Sequence, residues 1–169
     1  MSTAAPPLNA QEPLLADGRR AACLGAILLV SMLAFEAMAV AAVMPVIAAA
    51  LGGDAHYALA FGGMLATSVV GMVLAGGLSD RHGARQASLI GMLIFGAGLL
   101  LAGMAQQMLV LVAGRVVQGL GGGMLGVALY VGMGQIVPKA LHPRLFALFA
   151  AAWVVPAMVG PSLAAALAI

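Results

Sequence analysis

The chain has 169 residues and a formal charge of +2; 64% of its residues are hydrophobic and only 7% charged, against about 25% charged in an average soluble domain. Seven Lys and Arg with five Asp and Glu cannot cover a water-soluble surface of this size, which excludes a soluble enzyme, a secreted disulfide scaffold and a disordered chain. The basic residues are too few and too scattered for nucleic acid, and the single cysteine, Cys23, leaves no intrachain disulfide. The composition is that of an all-α integral membrane protein with the lipid bilayer as its partner.

Residues 1–20 begin MSTAAPPLNAQEPLLADG, polar and proline-rich with Glu12 and Asp17. They lack the basic leader and small-residue cleavage pattern of a secretory signal, so a cytoplasmic tail is expected. The remainder, 21–169, reads as a transmembrane helical bundle. Five apolar runs follow at about 21–51, 57–77, 87–105, 108–137 and 145–169, each near or beyond the ~20 residues that cross a bilayer core as a helix. Helix is the required form, because a lipid-exposed backbone has no water to bond. The breaks at Gly52–Asp54, Ser79–Gln86, Gln106–Gln107 and Pro138–Arg144 are short, so adjacent helices run antiparallel. Arg19 and Arg20, Arg81 and Arg85, and Lys139 and Arg144 flank alternate breaks, while the loops at 51–56 and 106–107 carry no Lys or Arg. The positive-inside rule then places the amino terminus and the two basic loops in the cytoplasm.

Within the first run, Glu36 lies about fifteen residues from its start, near mid-bilayer at ~1.5 Å per residue. An ionised side chain there costs ~2.5–3.5 kcal/mol even on insertion scales, and desolvation disfavours its charged form. Two readings stand open: a site for a proton or a cationic substrate facing a central cavity, or a permanently protonated carboxyl bonded to a neighbouring helix. The fourth run holds Arg115 and Gln118 one turn apart on a common face. Arg115 is either a polar working group or a snorkelling side chain whose head reaches the interface. The same run pairs Gly119 with Gly123 and Gly122 with Gly126 at four-residue spacing, expected to give one small-residue packing face. Gly121, Gly123 and Gly126 also match G-x-G-x-x-G, but mid-membrane, after no strand and with no acidic residue following, that is not a nucleotide fingerprint.

The segment with Gly77, Asp80, Arg81, Gly83 and Arg85 resembles the loop signature of the major facilitator superfamily, G-x-L-x-D-R-x-G-R-(R/K), with Ala84 at a usually basic position. Arg115 with Gly119 and Gly121 resembles the R-x-x-x-G-x-G element of that family's fourth helix. Gly160–Pro161 resembles the G-P pair of its antiporter motif, although Pro156, Ala164 and Ala165 replace glycines of that motif. Glu36 followed by Pro45 resembles an acidic-to-proline element of drug:proton antiporters.

The resemblance implies a secondary transporter working by alternating access with two six-helix halves, of which this chain matches five helices of the first. The sixth helix and the carboxy-terminal half would then be missing partners. By the same analogy Glu36, Arg115 and Gln118 serve proton and substrate coupling, and Gly77, Asp80, Arg81, Gly83 and Arg85 form a cytoplasmic latch. Gly119, Gly121 and Gly123 would pack helices, and Pro156, Gly160 and Pro161 would kink the fifth, since proline removes a backbone hydrogen bond. Proton-driven efflux of a drug or small metabolite is expected, in a cell inner membrane, with protons as coupling ion. No cofactor and no metal are implied. Sugar or organic-acid symport or uniport is the alternative within transport; a non-transporting five-helix interaction module or remnant is the alternative outside it.

Overall fold

The computed structural model describes residues 18–167. Five long helices account for nearly all of it: α1 (Arg20–Ala50), α2 (Tyr57–His82), α3 (Ala84–Gly103), α4 (Met108–Ile136) and α5 (His142–Leu167). Short 3-10 turns at Asp54–His56 and Lys139–Leu141 lead into α2 and α5. α1 to α4 are long and apolar enough to cross a membrane, and α5 runs for 26 residues. The first seventeen residues of the expected tail lie outside the described residues.

The break between α2 and α3 is much shorter than the expected polar loop. α2 continues through Ser79, Asp80, Arg81 and His82, and α3 starts at Ala84. Polarity alone does not end a helix; nothing from Leu78 to His82 removes a backbone N–H. Gly83 makes the turn, at φ 86° and ψ 153°, a backbone region open essentially only to glycine. Likewise α5 begins at His142 rather than Leu145, because Pro143 sits in the first turn, where its missing N–H costs nothing. Pro45 lies inside α1, so the Ala41 carbonyl has no partner from the next turn.

α4 is the centre of the bundle. In its most apolar 18-residue stretch 56% of residues are buried, against 17% in each of α1, α2 and α3. It packs along its length against both α2 and α3, whereas α1 packs mainly on α5 and touches α4 and α2 only lightly. Lipid-like residues face outward: Val73 and Leu93 are each 73% exposed.

Glycine makes the two α4 interfaces possible. On the α2 side, a Cβ at Gly119 would strike Met64 O, one at Gly123 would strike Ser68 O, and one at Gly71 would strike Leu120 O. On the α3 side the same holds for Gly121 against the Phe95 backbone, Gly98 against the Gln118 backbone and Gly114 against Ala102. The glycines thus serve two faces, not one, and they come from all three helices. Gly122 and Gly126 do not pack at all in this sense, correcting the expected pairing: Gly122 is at ordinary distance from the Phe95 ring and Gly126 has nothing within 4 Å. The Thr67 hydroxyl reinforces the α2 seam by donating to Val116 O at 2.8 Å.

Two apolar clusters close the ends. Cys23, Val30, Leu129, Met133, Leu145 and Phe149 join α1, α4 and α5 at one end. Met44, Ala48, Ala60, Met108 and Leu111 join α1, α2 and α4 at the other. Six of the seven Lys and Arg gather at the first end, because the alternating helices bring the start of α1, the α2–α3 turn and the α4–α5 turn together.

Gly123→Val places two methyls where α2 backbone lies and is expected to cost about 1–3 kcal/mol or more, read as a lowered thermal midpoint in detergent. Gly96→Ala, where the added Cβ meets nothing within 4 Å, should not lower that midpoint and should raise it slightly, because alanine loses less backbone entropy in a helix. Gly83→Ala should cost about 1–3 kcal/mol by backbone strain alone, since the space around it is open.

A buried ion pair on the wall of a central cavity

Between the two apolar clusters, polar groups from three helices meet. Arg115 on α4 is 3% exposed and donates from Nη1 to Glu36 Oε1 on α1 at 2.6 Å. The same nitrogen reaches Gln118 Oε1 at 3.0 Å, and Nη2 lies against the Met64 thioether of α2. Gln118 is fully buried, its backbone pressed onto Gly98 of α3. The Glu36 side chain retains 14% exposure, and Glu36, not Arg115, lines the adjoining space.

The structure therefore joins Glu36, Arg115 and Gln118, three residues that sequence spacing places on two separate helices. It removes the snorkelling reading of Arg115, whose head turns into the bundle rather than to an interface. It also replaces a lone carboxyl with a paired one. A charge taken out of water is tolerated when an opposite charge and hydrogen bonds satisfy it, and Arg115 supplies both.

The adjoining cavity has a volume of about 670 Å³ and is walled by all five helices. Its wall is apolar and aromatic: Met64 and Met72 of α2, Phe95 of α3, Tyr130 of α4 and Trp153 of α5 line it together with Glu36 of α1. Tyr130 is held by Phe146, stacked at 5.5 Å, and by Phe149, edge-on at 5.3 Å. Glu36 also borders a second groove of about 610 Å³ between α1 and α5, which Pro156 helps to line. A cavity of this size, lined by apolar and aromatic side chains and one carboxylate residue, suits a lipophilic molecule with a small polar or charged group.

The other expected site residues lie elsewhere. Asp80, Arg81 and Arg85 are exposed at the basic end, and no hydrogen bond or ion pair joins them to each other among the described residues. They are aligned along two helices that meet at the Gly83 turn. Counting back from Asp80, the signature's first glycine falls at Gly76, one residue before Gly77. Gly119, Gly121 and Gly123 pack α4 as described. Gly160 and Pro161 fall within α5, but their surroundings lie outside the described residues.

Met64, Thr67, Phe95, Tyr130 and Trp153 escaped the sequence reading. None carries charge, and helical periodicity is silent in helices apolar on every side; only the aromatic scarcity of the chain, 5%, set Phe95, Tyr130 and Trp153 apart.

The family model of the Major Facilitator Superfamily matches residues 24–169, and the chain belongs to that superfamily. A probable multidrug-efflux transporter of Mycobacterium tuberculosis is 36% identical over 119 residues, which are 70% of this chain and 25% of that protein. Multidrug resistance protein 3 of Bacillus subtilis is 31% identical over 142 residues, 84% of this chain and 28% of that protein. A multidrug efflux pump of Staphylococcus aureus is 26% identical over 142 residues, 81% of this chain and 31% of that protein. The chain thus spans about a quarter of the length of the relatives it matches. No solved structure gives a significant match. Family and relatives point to a membrane transporter rather than an enzyme.

Arg115→Leu strands Glu36 without its partner and is expected to cost roughly 3–5 kcal/mol. Adding Glu36→Leu should restore part of that loss. A double-mutant cycle on thermal stability reads the coupling directly, and simple additivity would mean the pair contributes nothing.

Proposed function

We propose that this segment forms one wall of a proton-coupled efflux transporter for drugs or small lipophilic metabolites. In this reading α1 to α5 all span the bilayer of a cell inner membrane, with the amino terminus and the basic end in the cytoplasm. The remaining helices of the transporter close the cavity from its open side, and the two halves rock to expose it to each face in turn. Asp80, Arg81 and Arg85, exposed at the basic end, meet the other half rather than one another.

The observation that carries this reading is the Glu36–Arg115 pair on the cavity wall. When Glu36 is ionised, the pair is neutral and Arg115 Nη1 has its charged partner. When Glu36 takes up a proton, Arg115 keeps its charge in a site with only Gln118 and Met64 beside it. That state is costly, so proton uptake favours a rearrangement that gives Arg115 another partner. A cationic substrate acts on the same balance from the cavity side, by competing with Arg115 for the carboxylate. Protonation and substrate binding then oppose each other at one oxygen pair, which is the requirement for exchanging one against the other. The transporter-named relatives support efflux of drugs over sugar or organic-acid uptake.

The test uses the full transporter that contains this segment, reconstituted in proteoliposomes with an imposed pH gradient and a fluorescent cationic dye. Glu36→Gln is expected to reduce gradient-driven efflux to the rate seen without a gradient, while downhill dye movement persists. Gradient-driven efflux unchanged in Glu36→Gln would sink the proton-coupling role.

A further inference from the structure

α4 carries two kinds of glycine. At Gly119, Gly121 and Gly123 an added Cβ would strike the backbone of α2 or α3, so helix packing dictates those residues. At Gly126 a Cβ meets nothing within 4 Å, and at Gly122 the nearest atom is Phe95 Cδ2 at 3.5 Å, an ordinary contact. Both line the central cavity, on the face that also presents Gly119 and Gly123 to it. A glycine inside a helix carries a backbone-entropy cost, and here no close-packed neighbour offsets it. What glycine supplies at these two positions is room. That room lies over bare α4 backbone, bordered by Phe95 from α3, Tyr130 one turn further along α4 and Trp153 from α5. Aromatic rings at the rim favour an aromatic guest through offset and edge-on contacts, and a backbone stripe without side chains gives it a flat support.

We infer that Gly122 and Gly126 are specificity-determining positions of this cavity: they form the bed on which a rigid, planar aromatic substrate lies, and they set the width of substrate that enters. The inference rests on the transport reading for the use of the cavity and on the uncrowded glycines for its shape. Gly126 is the cleaner of the two, because a Cβ there enters cavity space with no atom within 4 Å. Phe95 stands opposite Gly122, so enlarging Gly122 narrows the bed from the other end.

The experiment compares two cations with the full transporter: acriflavine, a rigid tricyclic dye, and decyltrimethylammonium, a flexible chain. Binding is measured on the detergent-solubilised protein and efflux in proteoliposomes. Gly126→Leu is expected to weaken acriflavine binding and efflux by about tenfold or more while decyltrimethylammonium stays within about twofold. Gly126→Ala should show a smaller loss in the same direction. Gly134→Leu, equally uncrowded on the same helix but outside the cavity, should change neither. Equal loss of both compounds in Gly126→Leu and Gly126→Ala would overturn the inference, because Gly126 would then be a packing position. Unaltered acriflavine binding, or no acriflavine binding by the wild type, would overturn it as well. Gly126-dependent binding of a dye that is never transported would uphold the bed and remove the transport reading instead.

Discussion

Everything in this bundle depends on how closely α2 and α3 approach α4. In lipid no hydrophobic drive pushes helices together, so association comes from dispersion contacts and the few interhelical hydrogen bonds. Dispersion falls off steeply with separation, and only a helix without side chains at the contact lets two backbones touch. Gly119, Gly123 and Gly71 do this on one side of α4, and Gly114, Gly121, Gly98 and Gly91 on the other. The Thr67 hydrogen bond to Val116 is possible only at that distance. Fixing α4 from both sides also fixes Arg115, which sits between the Gly114 contact with α3 and the Gly119 contact with α2.

The rigidity of α4 gives the ion pair its geometry. A guanidinium deep in a membrane protein is tolerated when its partners are in place before it is desolvated. Gln118 is positioned by the close approach of Gly98, and Met64 by the α2 seam. Glu36 is the exception: it belongs to α1, which is held to α2 and α4 mostly by small contacts and the two end clusters. Of the three side chains around the guanidinium, the one that carries the opposite charge is on a helix that packs mainly on α5 and only lightly on α2 and α4.

Much of this architecture was legible in the chain. Uninterrupted apolar runs gave all five helices, and the starts of α1, α2 and α4 fell within a residue of the expected ones, because length and hydropathy are the dominant signals in a membrane sequence. Basic residues on alternate turns marked one end correctly as a common face. Polar residues misled where they were read as loop formers: Ser79 to His82 stay helical, and a single glycine ends α2. The Glu36–Arg115 contact was not legible, since it depends on which faces of two helices separated by 79 positions turn toward each other. Nor was the division among the glycines. Four-residue spacing says that Gly119, Gly122, Gly123 and Gly126 lie near one face, but only the neighbouring backbones tell which of them are pressed and which are open.

The contrast between a fixed α2–α3–α4 block and a more loosely held α1–α5 pair locates the cavity physically. Close-packed interfaces exclude space, as the α2–α4 and α3–α4 seams do; space collects where two packed units meet without glycine on both sides. The cavity lies along that boundary, with α1 and α5 supplying Glu36 and Trp153 and the block supplying Met64, Phe95 and Tyr130. The apolar clusters at both ends hold the units together without polar groups, leaving Glu36–Arg115 as the polar tie described between them. Glu36 thus stands where α1 packs only lightly on α2 and α4, and it lines the cavity. Close packing of α4 and light packing of α1 against it are therefore complementary: the first sets where the arginine stands, and the second leaves its carboxylate partner beside the cavity.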